Sequence, residues 1–470
     1  MKKILTYHIV LLVVLGSTIT SCKKWLDVQP EDRIPEQVVF KNENGFQEGI
    51  NGFYIELAKP DLYGGVTSQF IYDVLAQRYV SSKNTTTQYF LSRYDWQQTP
   101  VKAMVLNIWT KMYAQIAGVN QYLENVEKYK GNIAEGRYIY YRGQALGLRA
   151  FLHLELLRAF GPIYSADSTA PSIPIYKALK AENQKPVSST TVMDFVLQDL
   201  DAAIADLSVS DPVTVSGPKN FLNCKMNLAT VKALKARAYM YRGDTENAAA
   251  AAKDVLNQFD ALFPWTTASD INIVGSGDRI FSTEMFFGVY CNVLNDVYDT
   301  YYTSNADVGD FLYVGPTLDQ IYDNKIQDYR LTYVWRTDGN YSFRILKKYQ
   351  LQQGIVDRLV RSRNIVPLVR KSEMYYILAE CEQDPNVALT YLNAVRDHRG
   401  LELDKLSDPA SVHDQITKEY VKEFYGEGQL FFYMKRNKIT NIPNVTNLNN
   451  VSIPLSGFRL PIPEKELEHY

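Results

Sequence analysis

The sequence predicts a mainly α-helical protein: antiparallel helix pairs stacked on one another, with a loop-rich second region containing a few short β-hairpins. Three observations carry this. Apolar residues recur at steps of three and four over several long windows. Helix-ending Gly-Pro, Gly-Asp and Asp-Pro pairs fall at the ends of those windows. A Gly-, Asn-, Asp- and Tyr-rich stretch at about 262–370 carries only short β-like runs.

The first element is a targeting segment. Lys2 and Lys3 precede an apolar stretch at 9–15 and small residues up to Cys22, too short and too polar at its ends to span a membrane. The Ile19-Thr20-Ser21-Cys22 end resembles a bacterial lipoprotein signal, so 1–21 is expected to be removed and Cys22 lipidated. Residues 22–35, polar and with two prolines, read as a tether. The remaining cysteines, Cys224, Cys291 and Cys381, form neither a disulfide framework nor a CxxC zinc pattern. Cys381 follows Met374 and Ile377 at helical spacing and is expected to be buried.

The scaffold is expected over 36–261. Val105, Ile108, Met112, Ile116, Val119, Leu123 and Val126 form one stripe of a helix at about 102–129. The next segment, 134–160, is apolar on most faces and stops at Gly161-Pro162, so the two read as an antiparallel pair. Val192, Val196, Leu200, Ala203 and Leu207 mark a third helix. Val231, Leu234, Ala238 and Tyr241 mark a fourth, and Ala248, Ala252, Val255 and Phe259 a fifth, with Arg242-Gly243-Asp244 as the turn. The small and aromatic residues Ala236, Tyr239 and Ala248 make these pairs tetratricopeptide-like, though too unequal for a regular solenoid. A last pair at 371–397, broken at Asp384-Pro385, opens the closing region 371–470.

Between the helices, 280–290 and 341–350 read as strands, with Asp338-Gly339-Asn340 as hairpin turn residues. The segment 61–98 reads as irregular and is rich in aromatic residues. Long irregular segments on a helical scaffold are common recognition sites, so 61–98 and the loop-rich variable region 262–370 are the expected ligand face.

Composition narrows the function. Charged residues are 22% of the chain and the formal charge is −2, so no global basic field exists to hold nucleic acid. The chain has 34 Tyr, a bias toward binding because the ring packs while the hydroxyl bonds. No HExxH, GxSxG or Gly-Lys sequence occurs, so zincin, nucleophile-elbow and P-loop chemistry lack their motifs. His153 shares an apolar stripe with Leu146, Ala150 and Leu157 and reads as a core histidine. Asp296, Asp299, Asp307 and Asp310 lack EF-hand spacing and read as a solvated loop. The basic residues of 344–371 read as solvated surface, an anionic ligand being the alternative. Neither a cofactor nor a metal is expected.

The sharpest binding hypothesis is aromatic. Sugar C–H faces pack on aromatic planes, while hydroxyls pair with Asp, Asn, Gln or Arg. Trp96, Tyr298, Tyr301, Tyr302 and Trp335 lie in irregular regions with polar neighbours, and Asp73, Gln77 and Arg78 lie near Trp96 in sequence. These eight are the candidate ligand residues, each with burial in the core as its alternative.

Seven strings in order now carry a resemblance: SCKKWLDVQP (21–30), IWTKMYAQIAGVNQYLENVE (108–127), YRGQALGLRAFLHLELLRAFGPIY (141–164), the Ala-rich pair (228–256), VRKSEMYYILAECE (369–382), EGQLFFYMKR (427–436) and FRLPIPEKEL (458–467). In this order they resemble the SusD/RagB family of outer-membrane nutrient-binding lipoproteins. The resemblance implies a tetratricopeptide-like fold, no enzymatic activity, and a TonB-dependent outer-membrane transporter as partner. The ligand it implies is an oligosaccharide, with a peptide as the alternative; a lipid-anchored hydrolase and a protein-only scaffold are weaker rivals. In the C-terminal helical stretch, Tyr420 and Leu430 stand where the family commonly has arginines, and Tyr433 where it has an aspartate.

Overall fold

The computed structural model describes residues 35–468 except 81–82, 180–182, 218–220, 274, 304–310, 316, 338–342, 353–361 and 446–447. The expected signal, Cys22, the tether up to residue 34, the 338–340 turn, Asp307 and Asp310 lie outside these residues.

Helices α1 (Glu43–Leu57), α2 (Thr99–Lys128), α3 (Glu135–Phe160), α4 (Ser189–Ser210), α5 (Leu228–Arg242) and α6 (Thr245–Phe259) build the scaffold. Each begins and ends for a local reason. Pro100 opens α2, where its missing N–H costs nothing. The Ser188 hydroxyl accepts the Thr191 N–H at the start of α4, and the Asn227 side chain accepts from Thr230 at the start of α5. Gly243 closes α5 at φ +84°, and Asp244 caps α6 through the Asn247 N–H, so one three-residue turn ends a helix and starts the next.

α3 lies between α2 and α4, α5 packs on α4, and α6 on α5. The stack continues through α8 (Lys371–Cys381), which packs on α6, and α9 (Pro385–Asp397), which packs on α8. The expected fold class is thus borne out. α3 is buried almost all round because it has neighbours on both sides. His153 on α3 is fully buried, its Nδ1 2.9 Å from the Arg149 carbonyl, and burial pushes its imidazole down to about 4, a neutral core histidine. Among the described residues no helix is long and apolar enough to cross a membrane.

The loop-rich region is more strongly tied to the scaffold than its composition suggests. Strand β1 (Met285–Tyr290) pairs antiparallel not with a local neighbour but with β4 (Ile365–Arg370), which runs directly into α8. The hairpin expected around residue 339 is present as β2 (Trp335–Thr337) and β3 (Arg344–Leu346), with Trp335 opposite Leu346. Helix α7 (Leu294–Tyr302) occupies part of the run read as an acidic loop.

The 344–371 basic cluster needs correction, because four of its members are paired and three of these are buried. Arg344 pairs with Asp319 at the half-buried edge, whereas Lys348 and Arg370 pair with Glu427 and Lys371 with Asp260. Arg370 also reaches Glu423 at 2.6 Å on α10 (Val412–Glu423). Glu423 receives Arg399 at 2.7 Å and Arg330 at 3.1 Å as well, and Glu419 pairs with Arg330 and Arg396. This buried lattice fastens the loop-rich region to the closing helices.

The chain leaves α9 through Gly400 at φ +80°, where an added Cβ would lie 2.3 Å from the Gln327 carbonyl oxygen. Gly400→Ala is therefore expected to cost more than about 1 kcal/mol, read as a lowered urea midpoint.

Candidate ligand-binding face

The segment 61–98 is not the exposed loop its composition suggests. A π-helical turn, Val66–Phe70, runs into a short helix, Ile71–Leu75, and both are buried. Tyr63, Tyr72 and Tyr79 point into the core. The chain then turns sharply: Gln77 and Tyr94 both have left-handed backbones, at φ 58° and 57°. The two are joined, because the Gln77 amide donates to the Ser92 carbonyl (2.7 Å) and the Tyr94 hydroxyl (3.2 Å). Tyr94 in turn donates to the Leu75 carbonyl at 2.8 Å. Two strained non-glycine residues held by one hydrogen-bond chain fit a functional turn.

On one side of this turn lies a hollow of about 230 Å³, lined by Gln77, Tyr79, Tyr89, Ser92, Arg93, Asn444 and Val451. Thr86 caps the Thr87–Ser92 helix by accepting the Tyr89 N–H, which fixes the Tyr89 ring beside the hollow. The Arg93 guanidinium lies 4.4 Å from that ring's centroid. Asn444 and Val451 come from a second hairpin, β5 (Asn441–Pro443) with β6 (Asn450–Ser452). Nearby, the Tyr313 carbonyl accepts the Val80 N–H at 2.9 Å. This contact brings up three half-buried rings, Phe311, Tyr313 and Phe343, whose centroids lie 4.5–5.5 Å apart.

On the other side of Gln77 is a larger groove of about 280 Å³, mostly aliphatic, between α10, α11 (Gln429–Asn437) and the same hairpin. Arg78 lines only this groove.

The eight sequence candidates separate. Gln77 lines both the hollow and the groove, and Arg78 lines the groove. Asp73 is fully buried, its Oδ2 accepting the Gly426 N–H at 2.7 Å, and burial pushes its carboxyl up to about 6 against the pull of Arg78. Tyr298, Tyr302 and Trp335 are 1%, 0% and 2% exposed, so they form the wall behind the face and not its surface. Trp335 meets Tyr425 edge-on at 4.8 Å, and Tyr298 stacks on Tyr302 at 5.3 Å. Tyr301 is half-buried and stacked on Phe70 at 5.0 Å. Trp96 is half-buried, 6.4 Å from Tyr94, and does not line the hollow. Tyr89, Ser92, Arg93 and Asn444 line the hollow and are not among the eight sequence candidates. The Tyr89/Arg93 spacing of four on a capped helix was the readable signal.

Residues 24–216 match a family model described as SusD-like, starch-binding and associating with the outer membrane, and residues 297–453 match the model of the SusD family. The chain belongs to the SusD/RagB family. A SusD-like protein of Formosa agariphila is 26% identical over 345 residues, covering 69% of this chain and 62% of that protein's length. Solved structures show the same fold. A putative sugar-binding protein of Bacteroides vulgatus has a TM-score of 0.71 at 22% identity, covering 91% of this chain and 96% of its own. Surface glycan-binding protein A of Bacteroides thetaiotaomicron has a TM-score of 0.67 at 18% identity, covering 92% and 98%.

Where this SusD/RagB chain departs from the charges expected near its C-terminus, it substitutes ring packing. Tyr420 stacks on Tyr433 with centroids 4.0 Å apart and planes 19° apart, and Tyr376 packs on Tyr420 at 5.2 Å. The Thr417 hydroxyl meets the Tyr433 hydroxyl at 2.8 Å, so the polar end is satisfied.

Proposed function

We propose that the protein binds an oligosaccharide at the Gln77–Tyr89–Arg93–Asn444 hollow and passes it unchanged to a TonB-dependent outer-membrane transporter. The observation that carries this is the hollow's chemistry. A tyrosine plane suits the C–H face of a sugar ring, and an amide, a hydroxyl and a guanidinium at its edge suit sugar hydroxyls. Its described lining holds no carboxylate, whereas a glycosidase needs two flanking the scissile bond. Membership of a family associated with starch binding and the outer membrane supports the ligand class, the place and the partner.

In this reading Cys22 carries the lipid anchor. Cys22→Ala is expected to move the protein from the membrane to the soluble fraction, because no other stable hold is proposed. Unchanged fractionation sinks the anchor.

Calorimetric titration of the 23–470 chain against glycan and peptide panels tests the ligand class, with chromatography of the glycan afterwards. Saturable heat with a glycan and no product is expected. Heat with peptides alone reassigns the ligand, and product formation overturns the non-enzymatic reading.

A further inference from the structure

The aliphatic groove across Gln77 from the hollow holds a guanidinium whose hydrogen-bond donors the described residues leave partly open. Its walls include Val421, Leu430, Met434, Ile439, Ile442 and Val445. Arg78 is set among them, only 2% exposed. Nη2 donates to the Val421 carbonyl, and the guanidinium carbon lies 3.2 Å from the Tyr425 ring centroid. Among the described residues Nε and Nη1 have no well-aligned hydrogen-bond partner, and the Tyr425 hydroxyl, on the groove wall beside Arg78, donates to no acceptor. Asp73 accepts from Gly426 and attracts Arg78 by charge, but among the described residues its other oxygen makes no hydrogen bond. At the rim, Lys418 and Asp323 pair with each other at 3.7 Å.

A buried guanidinium with open donors is costly unless an acceptor, best an anion, completes it. The remaining walls are mostly aliphatic, with Gln77, Gln320, Thr417, Asn441 and the Asp323–Lys418 pair also on the lining, and the long apolar stretch suits an apolar chain. We propose that this groove is a second ligand site, distinct from the sugar hollow, for an alkyl carboxylate: head on Arg78 and Tyr425, tail along the aliphatic wall. A cavity of roughly 150 Å³ accepts one benzene, so the volume here suits a chain of about six to ten carbons.

Titration of the 23–470 chain with octanoate, octanol and acetate tests this. Octanoate is expected to bind saturably at one site, at least about tenfold tighter than octanol, because the alcohol offers the guanidinium one neutral acceptor in place of a charged, two-oxygen one. Acetate, with the head but no tail, is expected to give no measurable heat. Arg78→Gln should bring octanoate down to the octanol level. Should that variant fail to fold, Ile439→Trp, which fills the groove from a half-buried position, should abolish octanoate binding while leaving the melting curve and glycan binding in place. Absence of saturable octanoate binding, equal affinity for octanoate and octanol, or octanoate binding that survives Ile439→Trp overturns the proposal.

Discussion

Glu423→Gln is expected to lower stability by about 3–5 kcal/mol, the cost typical of removing one partner from a buried ion pair. Glu423 is the shared carboxylate of Arg330, Arg370 and Arg399, and all four side chains are almost completely buried. Glutamine keeps the shape and removes the charge, so three guanidinium groups lose their common counter-ion at once. With about 2.1 cal/mol/K of unfolding entropy per residue, the melting temperature of a chain this size should fall by about 3–5 °C. The same lattice sets an acid limit. Burial alone would push Glu419 up, but Arg330, Lys422 and Arg396 outweigh it and hold its carboxyl at about 2. For Glu423, Arg399, Arg370 and Arg330 likewise overcome burial and hold the carboxyl well below the usual range. Both folded-state values lie below the unfolded ones. Their stabilisation is therefore present above about pH 4.5 and is lost as pH falls toward 2. Denaturant melts from pH 7 to pH 3 should show a shallower decline in Glu423→Gln than in the parent. Equal slopes would mean that these carboxylates are not the groups responsible.

The second large effect separates binding from folding. Tyr89→Ala is expected to weaken glycan binding by about 2 kcal/mol, roughly thirtyfold, with the melting temperature unchanged. Trp335→Ala should do the reverse. Its ring is 2% exposed against Tyr425, and truncation should cost roughly 3–5 kcal/mol of stability while the folded fraction binds normally. Titration and melting on both variants decide the matter. If Trp335→Ala loses affinity at full stability, the wall behind the hollow is part of the site after all.

The helices were legible because their cause is local. A stripe at 3.6-residue spacing, a capping side chain such as Asp244 and a stop such as Gly161-Pro162 lie within one window. The candidate site was less legible because burial is decided by distant partners. Tyr298 and Tyr302 have acidic neighbours in sequence, yet they share one face of α7 at a spacing of four, and that face turns inward. Lys348, Arg370 and Lys371 read as a surface cluster because their partners Glu423, Glu427 and Asp260 lie 53 to 111 residues away. The pairing of β1 with β4 also spans too much chain for periodicity to reveal. Gln77 was legible as a candidate, but not its left-handed turn or its bond to Ser92, which lines the hollow with it.

The most direct test of the central claim is a crystal structure of the 23–470 chain with the glycan identified by titration. A sugar ring is expected against Tyr89, with hydroxyls within hydrogen-bond distance of Gln77, Arg93 or Asn444. Sugar density confined to the aliphatic groove at Arg78 or to the outer surface of the helical scaffold, with the hollow empty, would contradict it.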